Sequence, residues 1–277
     1  MARQQNDAHW HHYVPIGYLK NFTNMQGTLC GYRKSTNMPF QFAKPRDVAA
    51  AEEFHTLPLR PNPVELEKRL DREFERPMIR TINTVLARVR LRQAGLQWGP
   101  LFTPEEHLSL AKFAALQLVR SNRMREETQG RALQYITPGV TLEAPEMGKL
   151  AHLQLLEKHM DDQFEWFGNT IGRHRLALIS TTRSHPFWTS DDPVTVTRGA
   201  EGGKVTWGGV GLRDDHLELY LPLSWDVMAI FVGQHLTRRF PDLMHTRSDI
   251  VAERNRLTFA TAHETVFSCN PFPPQIT

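Results

Sequence analysis

Three groups of side chains able to move protons or hold anions lie far apart in this chain of 277 residues. The first is His11-His12-Tyr13, where two imidazoles suit proton transfer or metal ligation near neutral pH and Tyr13 adds a hydroxyl. The second is Gln117, Arg120 and Arg123, which fall on adjacent turns of one helical face and offer planar guanidinium forks to phosphate or carboxylate. The third is Ser190-Asp191-Asp192-Pro193, a loop at the end of an apolar strand that Pro193 shapes by restricting its predecessor. Asp191 is the candidate catalytic carboxylate there, with Ser190 beside it to bond substrate. Asn255, between Arg254 and Arg256, can complete a polar pocket, and Glu52-Glu53 ahead of Phe54-His55 is a weaker candidate for the same pocket.

Each group also has a purely structural reading. A histidine can bond a backbone carbonyl, and either arginine can pair internally with Asp191 or Asp192. A Ser-Asp-x-Pro string can satisfy its own loop, and a mid-helix Asn is often a surface residue. His9, His11 and His12 together suggest metal, but the spacing nominates no further ligand to close a zinc site.

The elements that must carry these residues predict an α+β domain over 1–277, with short N-terminal strands and loops in 1–60, a helical part in 61–172 and a mainly β part in 173–277. Central helices pack on a mainly antiparallel C-terminal sheet. Thr28 to Arg33 alternates as a strand does, while Pro39, Pro45, Pro58, Pro61 and Pro63 keep the following chain irregular. From Val64 the apolar residues recur at helical spacing, with a kink or fresh start at Pro77 and an end at Gly95. Thr103-Pro104 with Glu106 spells a capping box, predicting a helix from Pro104 to about Thr128. A further helix is predicted over Glu146–Asn169. The strands 174–180, 186–190, 194–198, 204–210, 217–223 and 227–232 follow, then a helix over Ser248–Thr261 and a last strand over Glu264–Cys269.

The segment from His11 to Phe22 is similar to a signature of His-Tyr-Val-Pro followed by an aromatic, Leu, a basic residue and Phe. That signature marks the bacterial proteins grouped as domain of unknown function 4238. Gln117–Arg123 resembles the same family's Gln-x-x-Arg helix, and Phe187–Val194, Tyr220-Leu221-Pro222-Leu223 and Asn255 resemble its third segment. Asp192 conforms to a position the family fills with Asn or Asp, whereas Ile16-Gly17 replaces a Gln or Arg and an aromatic. The resemblance spans nearly the whole chain. It implies a shared fold and candidate positions, and no reaction.

Composition bounds the rest. Apolar residues make up 40% and charged residues 23%, the profile of a folded protein, and a net charge of +3 is too small to argue for nucleic acid by itself. Cys30 and Cys269 lie too far apart in sequence for a metal motif, no apolar run can serve as signal or membrane span, and the expectation is a cytoplasmic protein. No P-loop, Rossmann fingerprint, His-Glu-x-x-His or nucleophile elbow is present, and Gly202-Gly203 and Gly208-Gly209 are spaced like hairpin turns.

The function these residues imply is an enzyme acting on a phosphate-containing substrate, a nuclease or nucleotide hydrolase. His12 is acid or base, Arg120 an anion contact and Asp191 an orienter or metal ligand, while His11, Tyr13, Gln117, Arg123, Ser190 and Asn255 bind substrate. A divalent metal fits such chemistry as cofactor, and nucleic acid or nucleotide is the expected partner, with no membrane. The alternative is a non-catalytic module that binds a protein or nucleic acid through Arg120, Arg123, Arg125 and Arg131. An enzyme needs His12, Arg120 and Asp191 lining one accessible cleft, whereas a scaffold buries them.

Overall fold

The computed structural model describes residues 10–56, 62, 64–133, 144–158, 160, 164–198, 203–204, 211–235, 241–274 and 276. β1 (Trp10–His12) leads through Pro15 into the short helix α1 (Ile16–Leu19). β2 (Leu29–Arg33) and β3 (Met38–Ala43) form a hairpin, and β4 (Ala50–Glu52) returns to pair antiparallel with β1, His11 opposite Ala51.

α2 (Glu65–Arg69), a π-helical stretch over Leu70–Glu75 and α3 (Arg76–Gln93) then follow without interruption. Pro77 falls in the first turn of α3, where π-helical bonding gives way to α-helical, and the helical path runs on through it instead of starting afresh. Gly95 takes φ +72, left-handed backbone, just beyond the end of that helix.

α4 (Pro104–Arg120) opens on the predicted capping box: the Glu106 amide donates to the Thr103 hydroxyl at 3.2 Å, and the Thr103 amide to the Glu106 carboxylate at 2.8 Å. It ends earlier than predicted. Ser121 takes extended backbone, its hydroxyl accepts from the Met124 amide at 3.2 Å, and the chain restarts as α5 (Asn122–Leu133). In place of one helix over Glu146–Asn169 the chain forms α6 (Ala144–Lys158) and α7 (Phe164–Ile171).

The C-terminal strands are β5 (Arg175–Ser180), β6 (Thr189–Ser190), β7 (Thr195–Arg198), β8 (Gly203–Lys204), β9 (Leu217–Pro222), β10 (Val227–Val232) and β11 (Leu243–His245); α8 (Ser248–Thr261) and β12 (Thr265–Ser268) close the chain. The strand predicted over 204–210 lies, beyond Lys204, outside the described residues, as do His9, Pro58, Pro61, Pro63, Gly202, Gly208 and Gly209.

One sheet runs β11-β5-β10-β9-β7-β8, antiparallel except for the parallel β11–β5 pair; a second runs β3-β2-β12-β6. The N-terminal hairpin is therefore not a separate sheet, because β12 pairs with β2 on one side and β6 on the other. Every residue of β10 is buried, as befits a central strand covered on both faces. Alternation sorts the neighbouring strands: Leu217, Leu219, Leu221, Ala229 and Phe231 face the core shared with α3, α4 and α6, while Tyr220, Met228 and Ile230 face Phe187 and Val251 of α8. The fold is α+β, helices on one face of the larger sheet and α8 on the other.

Candidate functional site

A cavity of about 380 Å³ opens where α1 meets the helical rod of α2, the π-helical stretch and α3. His12, Glu67, Asp71, Glu75, Arg76 and Arg80 give it polar walls, and Ile16, Gly17 and Ile79 give it an apolar edge. The three carboxylates stand four residues apart. Residues four apart already share one side of an α-helix, and across the wider turns of the π-helical stretch Glu67, Asp71 and Glu75 still line the same cavity. Gly17 permits the close approach of α1, because a Cβ there would lie 2.8 Å from Cδ1 of Ile79.

His12 enters from the end of β1. Its Nε2–H donates to the Arg46 carbonyl at 3.0 Å, and burial pulls its pKa below the ordinary imidazole value. Behind it Arg120, fully buried on α4, donates from Nη1 to Glu75 at 2.6 Å and from Nη2 to the His12 carbonyl. Burial raises the pKa of both Glu67 and Glu75, and the charge of Arg120 opposes the rise in each.

Glu67 faces two ways. On the side away from the cavity its carboxylate meets Nδ1 of the buried His55 at 2.5 Å, and the His55 amide donates to Nδ1 of His11 at 2.8 Å. The rings of His11 and His55 stack, 5.8 Å between centroids and 10° between planes. Nε2 of His55 is buried without a hydrogen-bond partner. Burial, then the charges of Arg120 and Arg125, drive the His55 pKa well below the usual range. Donor atoms of His11, His55 and Glu67 all lie within 4.8 Å of one another.

The remaining sequence candidates gather elsewhere. The buried Asp191 carboxylate accepts from three consecutive amides, His263 at 3.0 Å, Glu264 at 2.8 Å and Thr265 at 2.9 Å, which fixes the turn from α8 into β12 against β6. Burial raises its pKa while these amides oppose the rise. Asp192 pairs with Arg123 at 2.7 Å, and burial pushes its carboxyl up to about 6 against that attraction. The Ser190 hydroxyl closes on its own loop, donating to the Asp192 carbonyl at 2.7 Å. Asn255 bonds the Trp188 amide and the Pro186 carbonyl, both at 2.9 Å, clamping α8 to the segment before β6. Gln117 is buried on α4 with neither amide atom hydrogen-bonded. Tyr13 packs against Phe54, 5.1 Å between rings, and its hydroxyl pKa is raised by burial and then by Asp191.

Of the expected residues, His11, His12 and Arg120 thus stand at or directly behind the cavity, and Asp191, Arg123, Ser190 and Asn255 hold the connections around β6 and α8. The sequence reading passed over Glu67, Asp71, Glu75 and Arg76. The signal was present as acids at strict four-residue spacing, but it looks like the solvated face of an amphipathic helix, since Leu66 and Leu70 supply the apolar stripe. His55, named in the sequence only as a neighbour of the Glu52-Glu53 pair, lies at the centre of the buried cluster.

A family model described as a protein of unknown function (DUF4238) matches residues 10–271, nearly the whole chain. No curated protein matches, and no solved structure does.

Proposed function

The chain belongs to the DUF4238 family, and we propose that it is a hydrolase of a phosphate-containing substrate, a nucleotide or a nucleic-acid terminus, acting in the cavity bounded by His12, Glu67 and Glu75. The observation that carries this reading is the wall itself: a cavity of about 380 Å³ with one imidazole and three carboxyl groups facing two guanidinium groups. That volume falls in the range of ~300–1,000 Å³ common for small-molecule sites. His12, whose Nε2–H is taken by Arg46, keeps a lone pair on Nδ1 and accepts a proton from the attacking water. Glu67, which shares a proton with His55, supplies the proton that the leaving oxygen needs. Arg76 and Arg80 at the rim contact phosphate oxygens. Arg120 acts through the Glu75 carboxylate and the His12 carbonyl, holding both in place.

No helix among the described residues is long and apolar enough to cross a membrane. We place the protein in the cytoplasm, in keeping with Cys30 and Cys269, which are buried and free although β2 and β12 set Cys30 opposite Ser268.

A second reading, a non-catalytic module with structural polar motifs, is favoured by one observation: Asp191, Arg123, Ser190 and Asn255 are all engaged by protein partners. Turnover separates the two. The wild-type chain is assayed with divalent metal against p-nitrophenyl phosphate, bis-p-nitrophenyl phosphate, nucleoside triphosphates, RNA and single-stranded DNA. Hydrolysis of at least one, reduced about 10²–10⁴-fold in Glu67→Gln and in His12→Ala, is expected from loss of a proton-transfer group. No hydrolysis of any substrate, or full activity in Glu67→Gln, overturns the reading in favour of the module.

A further inference from the structure

The carboxylates of the cavity outnumber its guanidinium groups, three to two, and Asp71 already holds Arg76 through its Nε at 3.0 Å. A phosphate entering such a site meets more negative than positive charge. A positive centre beside Glu67 would reverse this, and the donors for one stand immediately behind that residue.

We propose that His11, His55 and Glu67 form a binding site for one divalent transition-metal ion of the zinc class, at the inner wall of the cavity. Their donor atoms lie within 4.8 Å of one another, against about 3.4 Å expected between ligands around an ion with bonds of ~2.1 Å, so a small inward shift closes the set. Two imidazoles and one carboxylate are the donors that zinc, iron or manganese takes, whereas magnesium and calcium prefer oxygen alone. Three protein ligands leave a position open, and Glu67, the ligand shared with the cavity wall, directs that position towards substrate.

The local chemistry has the marks of an ion-ready cluster. Nδ1 of His55 and the Glu67 carboxylate close to 2.5 Å, which places one proton between two donors that an ion would bridge. The other nitrogen of His55, Nε2, is buried with no hydrogen-bond partner, so the ring offers a second nitrogen that an ion could satisfy by binding there while Nδ1 keeps Glu67. The His55 amide bonds Nδ1 of His11, so capture of the ion at Nε2 expels the proton held there, and capture at Nδ1 trades the amide bond for the ion. The protons displaced from His11 and from the His55–Glu67 pair pass to solvent, because all three ligands bind deprotonated. With the ion bound, the leaving oxygen therefore takes its proton from His12, which received it from the attacking water, and no longer from Glu67.

The inference rests on the reading above only for what the ion does. Its binding is tested on the untagged full chain, stripped with a chelator and titrated with zinc alone, by metal content after desalting and by calorimetry. One equivalent is expected, with a raised melting temperature. Glu67→Gln and His55→Asn, each checked for native circular dichroism, should weaken binding by more than the roughly 10–100-fold that follows loss of a group merely orienting a ligand. Asp71→Asn should bind as wild type does. His216 and His235, whose rings lie 4.5 Å apart, are a second place where zinc could lodge, so His216→Gln is measured alongside and should retain the equivalent.

Wild type that holds no zinc, or Glu67→Gln that holds it unchanged, sinks the site. So does loss of the equivalent in His216→Gln alone. Zinc bound at Glu67 with no ester hydrolysed would leave the metal site standing and remove the hydrolase. Hydrolysis persisting in chelator, by a chain that takes up no zinc, would do the reverse.

Discussion

Arg120 shows how one side chain can order a site without entering it. Its guanidinium is buried away from water, with Nη1 held by Glu75 and Nη2 by the His12 carbonyl, while Nε has no hydrogen-bond partner. Removing one member of such a buried pair leaves the other charge uncompensated, at about 3–5 kcal/mol, while removing both is far milder. Arg120→Met is therefore expected to lose several kcal/mol in urea unfolding, and Arg120→Met combined with Glu75→Gln to recover a substantial part of it. A double variant as unstable as the sum of the single ones would show that the two side chains do not act as a pair. Asp191 illustrates a different use of a carboxylate: three amides engage both of its oxygens, so it organises a turn.

At the scale of elements the decisive feature is the π-helical stretch over Leu70–Glu75, which sets the rotation of Glu67 relative to Arg76 and Ile79. Arg72 lies exposed within it. Deleting Arg72 should restore α-helical bonding and swing Glu67 by about 100° about the helix axis relative to α3. The far-ultraviolet helical signal is expected to persist while the melting temperature falls, because Leu66 and Leu70 leave the core with the same rotation, and zinc uptake and hydrolysis should both be lost. Unchanged stability and unchanged uptake would show that the π stretch positions nothing.

Such a feature was not legible in the sequence, since π-helical bonding has no residue signature and the acids read as a solvated face. What was legible had local causes. The Thr103–Glu106 capping box, the helix over Ser248–Thr261 and the β-rich, turn-bounded strands of 175–180, 217–222 and 227–232 each declare themselves within a few residues. Tertiary demands overrode local ones at Ser121, where a hydroxyl cap breaks a continuous helical pattern, and at β2, whose partner β12 arrives more than two hundred residues later. For the site the same division holds: the signature His11-His12-Tyr13 and Arg120 announced themselves by residue type, whereas Glu67 and Glu75 acquired meaning only once Arg120 and His55 were brought against them.

For the molecule as a whole, a helical layer that shares its core with the sheet surrounds several polar groups with apolar atoms, and this should show in the dependence of stability on pH. His152, buried on α6, donates from Nε2 to the Val119 carbonyl at 2.9 Å and accepts from Arg125 at Nδ1, and burial with the charge of Arg125 pulls its pKa down to about 3. The unfolded chain protonates this ring near pH 6.5 and the folded chain does not until about pH 3, so the unfolded state binds more protons throughout that window. Folding stability due to His152 is complete above pH 6.5 and is lost as pH falls, by about 1.4 kcal/mol per unit. Asp192 works in the opposite sense: its carboxyl, raised to about 6, makes the folded state hold a proton the unfolded chain has released, so stability is lost as pH rises from about 4 to 6. The difference between wild type and His152→Gln cancels the carboxylates. Near pH 7 the variant is expected to be less stable than wild type, and the gap should narrow by about 2 kcal/mol between pH 6.5 and pH 5 in urea unfolding. A gap independent of pH over that interval would mean that the ring is protonated inside the fold, and that burial between the Val119 carbonyl and Arg125 does not hold it neutral.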